Sequence, residues 1–375
     1  MNPPRRGTPD FLLLLLTFAL VGFGLVMVFS ASYNLNADPL YFTKRQSLWA
    51  VLGTGAMLFL MNLNYKKLKV WFVPFFVATL FLLVFVLLFG VERNGAKSWF
   101  GIGSIGGQPT EFAKLAIILY LSALISKKGE KIRDFKTGFL PVLMIVGFVA
   151  LLIMLQPDLG STMILVLTAT ILMIAGGVNL KHLFMIGGAM SLLLAIFVSV
   201  SLLRGHTESY RLDRFTAFVD PWSHQLDSGF HTVQSLYAFG HGGLSGAGFG
   251  QSIQKLFYLP EAHNDFIFAI IGEELGFVGS LIFLLVYLLF LWRGLLIALR
   301  STDPFGVLVG TGIISMIGVQ AVINIGGVTN VIPITGVTLP FISFGGSSLL
   351  TTMMSTGILL SISRENTRLN REQQT

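Results

Sequence analysis

Residues 11–30 read FLLLLLTFALVGFGLVMVFS, twenty positions without one charged side chain. At 1.5 Å per residue such a run reaches about 30 Å as a helix, the thickness of a bilayer's hydrocarbon core, and a helix satisfies its own backbone there. Arg5 and Arg6 ahead of it admit a second reading, a cleaved secretory or twin-arginine signal. The apolar stretch is longer than the roughly 7–15 residues of a signal's hydrophobic region, and we read it as an uncleaved first span.

The rest of the chain repeats the pattern. Further apolar runs fall at 47–63, 70–90, 111–125, 138–155, 160–178, 183–203, 266–292, 305–327 and 344–363. They predict an all-α polytopic integral membrane protein of about ten transmembrane helices, organised as one transmembrane domain over 1–375. Composition agrees: 54% of the 375 residues are hydrophobic and 11% charged, against about a quarter charged in soluble domains, and mean hydropathy is +0.78. Cysteine is absent, which excludes disulfide frameworks, thiolate metal sites and cysteine nucleophiles.

An even number of spans puts both termini on one side. Of the 25 Lys and Arg, sixteen lie in loops that share that side, Lys66, Lys67, Lys69, Lys127, Lys128 and Arg364 among them, and eight lie in the longer alternate loops. The positive-inside rule makes both termini cytoplasmic, with 364–375 as a cytoplasmic tail. The net charge of +7 then reports topology and calls for no nucleic-acid partner. We find no inverted repeat, which weighs against a secondary transporter.

One interruption, 204–265, is long and is expected to be extracytoplasmic. It holds five of the six His: His206, His224, His231, His241 and His263. Their spacing matches no compact ligand pattern, so no dedicated metal site is expected. The glycine cluster 241–250 follows no strand and matches neither nucleotide-binding fingerprint. A tight backbone path at the membrane surface is favoured over an anion cradle.

Chemistry concentrates where that loop enters the next span. Asp265 stands at the polar-to-apolar junction, where a carboxylate is partly desolvated and meets lipid head groups, a good place for a general base. Asp265 as a cap of the following helix is an equal reading of the residues alone. Glu273 and Glu274 lie inside the apolar run and need partners. Because 265–292 is too long for one straight crossing, a break near Gly272–Gly276 is expected to leave both acids at a polar bend. Elsewhere Pro109 opens a helix on which Glu111 and Lys114, at i and i+3, form an ion pair. Arg45 has a fork suited to clamping Asp158 or a substrate phosphate.

Taken together, the chain from about 11 to 363 resembles the SEDS (shape, elongation, division and sporulation) glycosyltransferases. The resemblance rests on Asn94-Gly95-Ala96-Lys97-Ser98-Trp99, Gln108-Pro109-Thr110-Glu111-Phe112-Ala113-Lys114, Gln156-Pro157-Asp158-Leu159-Gly160, Tyr210-Arg211 with Arg214 and Asp220-Pro221-Trp222, the stretch Lys255–Gly276, and Gly336–Ser347. The wording from Gln254 to His263 looks more like the division and sporulation branch (FtsW, SpoVE) than the elongation branch (RodA). Thr110, Asn264 and Phe230-His231 depart from the usual pattern, and none of these departures replaces a carboxylate.

The resemblance implies polymerisation of lipid II on the outer face of the bacterial cytoplasmic membrane, with Asp265 as the essential catalytic residue. Lys255, Arg211, Arg214 and Arg45, with His263, become candidate substrate contacts, and these cations or a divalent ion (Mg or Mn) would offset charge on the departing pyrophosphate. Glu111, Lys114, Asp158, Glu273 and Glu274 are the candidate structural or coupling charges. The implied partners are membrane lipids, a cognate class B penicillin-binding protein that supplies transpeptidation, and other division or sporulation proteins. The rival readings are a lipid II flippase and a non-catalytic division scaffold.

Overall fold

A computed structural model describes residues 7–93, 96–102, 105–188, 217–256 and 258–372. Helix α1 spans Phe11–Ser32 and is capped by the Asp10 carboxylate, which accepts from the Leu13 N–H at 2.9 Å. There follow α2 (Tyr41–Asn62), α3 (Leu68–Phe89), α4 (Pro109–Lys128), α5 (Leu140–Met154) and α6 (Leu159–Ala175). Beyond the undescribed stretch come α7 (Phe230–Gly242), α8 (Ile267–Leu299), α9 (Pro304–Val328) and α10 (Gly346–Glu372).

Among the described residues, six helical segments are long and apolar enough to cross a membrane, at 11–32, 65–89, 109–133, 135–154, 267–299 and 304–328. Helix α6 is apolar but shorter. Helices α2 and α10 have the length and a more polar make-up, and they pack along each other. Their closeness follows from small and hydroxyl residues, which let helix backbones approach: a Cβ at Gly357 would lie 2.6 Å from the Met57 carbonyl oxygen. The hydroxyls of Thr351 and Ser355 donate back to carbonyls one turn earlier, each at 2.8 Å.

Two features go beyond the sequence expectation. The chain is not purely helical: β1 (Val91–Arg93), β2 (Ala96–Ile102) and β3 (Ile105–Gly107) form a small antiparallel sheet in the order β1-β2-β3, with Val91 opposite Trp99 and Phe100 opposite Gly107. Five glycines within 91–107 make a helix unfavourable there. The second concerns 204–265, whose described part contains α7, 13 residues long. At roughly 20 Å it is too short to span a membrane.

Helix α8 carries the fold's principal irregularity. Its 33 residues are interrupted at Gly276, where φ is 68° and ψ −170°. A broken helix inside a membrane leaves backbone groups that another segment must satisfy. Here the glycine-rich loop after α7 does so: Ala247 N–H donates to Glu273 O at 2.9 Å and Gly248 N–H to Glu274 O at 3.0 Å. In return Phe277 N–H donates to Gly243 O at 2.9 Å and Val278 N–H to Leu244 O at 3.1 Å. The approach tolerates no side chain, since a Cβ on Gly246 would fall 2.3 Å from Glu274 O and one on Gly276 would fall 2.2 Å from Gly246 N. The glycine cluster is thus a backbone splice for the break.

Candidate active site

The first turns of α2, α4, α8 and α10 and the last turn of α9 gather at one end of the bundle, and the segment 330–345 between α9 and α10 folds back among them. Gln46 of α2 grips this return segment with both ends of its amide, donating to Ser343 O at 3.0 Å and accepting from Gly345 N–H at 3.2 Å. Phe344 N–H donates to His263 O at 2.9 Å, which ties the return segment to the approach of α8.

Asp265 lies at this junction, half-buried, on a narrow cleft of about 10 Å³ that Asn324, Ile334, Thr335, Gly336 and Val337 also line. Its Oδ2 is 3.5 Å from where a Cβ on Gly336 would stand, and Gly336 has φ of 70°. The carboxylate and the return segment are therefore in near contact across the cleft. The cap position of α8 falls to Phe266, so Asp265 stands one residue before it, beside the cleft.

Behind the cleft runs a buried polar ladder. Lys114, 1% exposed, donates to Glu111 Oε1 at 3.0 Å and to Gln320 Oε1 at 2.8 Å. Gln320 donates to Thr338 O at 3.0 Å. One turn further along α9, Asn324 donates to Val337 O at 2.6 Å and to Asp265 O at 2.7 Å. The ion pair expected of Glu111 and Lys114 is thus the far end of a chain that reaches Asp265. The two amides are not marked in the sequence, because neutral residues carry no charge signal. Their i and i+4 spacing within an apolar run was the available clue.

Glu273 and Glu274 sit at the break in α8. Glu273 accepts from Ile253 N–H at 2.9 Å, from Gln254 N–H at 3.3 Å and from the Ser252 hydroxyl, with His241 Nδ1 2.9 Å away. Glu274 accepts from the Ser30 hydroxyl at 2.6 Å and pairs with Lys255 Nζ at 2.8 Å. Both carboxylates are fully satisfied inside the protein, as embedded charges must be.

Other expected site residues lie elsewhere. Lys255 was expected to face substrate, but its side chain is 2% exposed and its ammonium is committed to Glu274, so it is part of the frame. His263 is 8% exposed, its ring 4.3 Å from that of Phe42 and 5.5 Å from that of Phe344. Burial pushes its pKa below the usual histidine value, so it is neutral near pH 7 and a poor partner for phosphate. Arg45 does not clamp Asp158. It donates to the Tyr41 hydroxyl at 2.8 Å, while Asp158 caps α6 through Ser161 N–H at 2.9 Å and accepts from Gln108 at 2.9 Å. A helix N-terminus already satisfies that carboxylate. Arg211 and Arg214 lie outside the described residues. Among the described residues no group of three or more His, Asp or Glu gathers in a metal-ligating arrangement.

The same architecture occurs in solved structures. A chain of a solved peptidoglycan synthase complex superposes with a TM-score of 0.79 at 28% identity, covering 96% of this chain and 98% of that one. The crystal structure of the rod shape determining protein RodA of Thermus thermophilus superposes with a TM-score of 0.70 at 29% identity, covering 96% and 97%. By sequence, stage V sporulation protein E of Bacillus subtilis (strain 168) is 46% identical over 367 residues, 96% of this chain and 98% of that protein. The probable peptidoglycan glycosyltransferase FtsW of Geobacter sulfurreducens is 39% identical over 360 residues, 94% of this chain and 95% of that protein. Residues 11–368 match the family model for FtsW, RodA and SpoVE, described as "Cell cycle protein". With that match over nearly its whole length, and with relatives by sequence that carry the FtsW and SpoVE names, the chain belongs to the FtsW/RodA/SpoVE family.

Proposed function

We propose that this chain is a peptidoglycan glycosyltransferase that polymerises lipid II into glycan strands at the outer face of a bacterial cytoplasmic membrane, in division or sporulation. The observation that carries the reading is Asp265, held by its main chain at the edge of an open cleft where several helix ends meet. The names of the FtsW and SpoVE relatives support the reaction class and the biological setting.

The topology proposed with it has ten spans, both termini cytoplasmic and 204–265 outside, in a single domain. The supporting observation is that Arg293, Lys66 and Lys69 gather at the opposite end, paired with Asp10 at 2.6 Å, Glu365 at 3.4 Å and Asp303 at 3.4 Å, the positive-inside rule counting Lys and Arg and not net charge.

In the proposed reaction the Asp265 carboxylate takes the proton from the C4 hydroxyl of an acceptor lipid II. The resulting oxygen nucleophile attacks the anomeric carbon of the donor as the bond to undecaprenyl pyrophosphate breaks, with inversion. Arg45, at the same end of the bundle, and Arg211 and Arg214 are the cations proposed to face the pyrophosphate. A divalent ion arriving with that group would neutralise further charge. Two lipid-anchored substrates held at one interface turn an encounter into an orientation problem, which is where much of the rate arises. A class B penicillin-binding protein is the proposed partner, consistent with the solved synthase complex that this chain resembles.

The test is glycan-chain formation from purified lipid II, run with and without the partner. The wild type makes chains and Asp265→Asn makes none, at unchanged expression and membrane insertion. A flippase or a scaffold would make no chains in either case, and chains from Asp265→Asn at near wild-type rate would remove Asp265 as the base.

A further inference from the structure

We infer that Asn324 is the positioning residue of the Asp265 site, and that its two amide hydrogens set where the carboxylate stands. The inference rests on the proposed role of Asp265 and adds to it the group that aims the base.

The geometry leaves one arrangement for this amide. Asn324 is 3% exposed, and two main-chain carbonyls, Asp265 O at 2.7 Å and Val337 O at 2.6 Å, lie against it. Carbonyl oxygens only accept, so the NH₂ must face both and its two hydrogens are both used. One side chain thereby staples the strip that carries Asp265 to the strip that carries Gly336, the residue in near contact with the Asp265 carboxylate. No serine or threonine does this with a single hydrogen, and an aspartate would set its oxygens against two others.

Asn324 Oδ1 is buried and has no protein donor among the described residues, and Asn324 lines the same cleft as Asp265. Helix α9 supplies rigidity: the neighbouring amide, Gln320, fixes the same return segment one turn away through Thr338 O.

The experiment uses the full-length protein with lipid II as substrate and compares Asn324→Asp, Asn324→Ala and Asp265→Asn by kcat, KM and pH dependence. Asn324→Asp keeps the volume and loses both donors, whereas Asn324→Ala loses the donors without adding an acceptor. Both are expected to lower kcat by roughly 10- to 100-fold, the range for a small misplacement of a reacting group, with KM little changed. Both are also expected to move the acid limb of the pH–rate profile, because the carboxylate sits in altered surroundings. A mere loss of folded protein would scale that profile without moving it.

Wild-type kcat and an unmoved profile in both variants, with Asp265→Asn inactive, would overturn the inference and leave the base assignment standing. Activity in Asp265→Asn would instead remove the reading on which the inference rests. Disappearance of both Asn324 variants from the membrane would overturn it too, since it would mark a residue needed for folding and not for aim.

Discussion

Lys255 Nζ lies 2.8 Å from Glu274 Oε1, with the two side chains 2% and 0% exposed, and the Ser30 hydroxyl joins them by accepting from the lysine at 3.0 Å and donating to the carboxylate. This pair ties the loop that precedes α8 to α1 and to the break in α8. Removing one partner of a buried pair strands the other charge, which is worth about 3–5 kcal/mol. Lys255→Met is therefore expected to lower the thermal unfolding temperature in detergent strongly, and Lys255→Met with Glu274→Gln to recover most of it. The KM for lipid II stays near wild type in the protein that survives, because the ammonium faces the frame.

The splice between the glycine loop and α8 makes a second expectation. Gly246→Ala places a methyl group 2.3 Å from Glu274 O at a residue with φ of 83°. Strain of this backbone kind is about 1–3 kcal/mol before the clash is counted. Gly240→Ala, in α7 with nothing within 4 Å of the new Cβ, is expected to be neutral or to stabilise by up to about 1 kcal/mol. Unfolding curves for the two variants are the comparison, and equal midpoints would contradict the splice.

His263 gives a pH signature. Burial holds its folded-state pKa below the unfolded value, which is about 6.5. The unfolded chain then binds more protons in the window below about pH 6.5, so stability is complete above that value and falls as pH drops through the window. Replacing the ring by Phe should flatten the dependence of the unfolding midpoint below about pH 6.5. An unchanged slope would mean that other groups produce it.

Lys114 supports the ladder behind the cleft. Lys114→Met leaves Glu111 without its ammonium and Gln320 Oε1 without its donor. Glycan synthesis is expected to drop roughly 10-fold or more through misplacement of the far end of the ladder. Adding Glu111→Gln should return stability but not activity, measured by unfolding and by chain formation on the same preparations.

Much of this was legible in the residues because membranes impose simple rules. An apolar run such as 11–30 must be helical to satisfy its backbone. Lys114 and Glu111 had to find each other at one helical turn, and Glu273 and Glu274 could not lie in an unbroken apolar helix without partners. The glycines of 242–250 announced a tight path, but not that its destination was the break at Gly276. Asn324 and Gln320 gave no charge signal, and their partners, Asp265 and the return segment, lie 59 and 13–18 residues away.

The sequence by itself determined which segments are apolar and which acids need company, since these follow from local composition and from the energy of placing charge in hydrocarbon. Only the tertiary structure decided that Lys255 serves Glu274, that Asp158 caps a helix and leaves Arg45 to Tyr41, and that Asn324 bridges Asp265 to the return segment. Those outcomes depend on which donor reaches which acceptor across packed helices, and hydrogen bonds are effective only within about 3 Å.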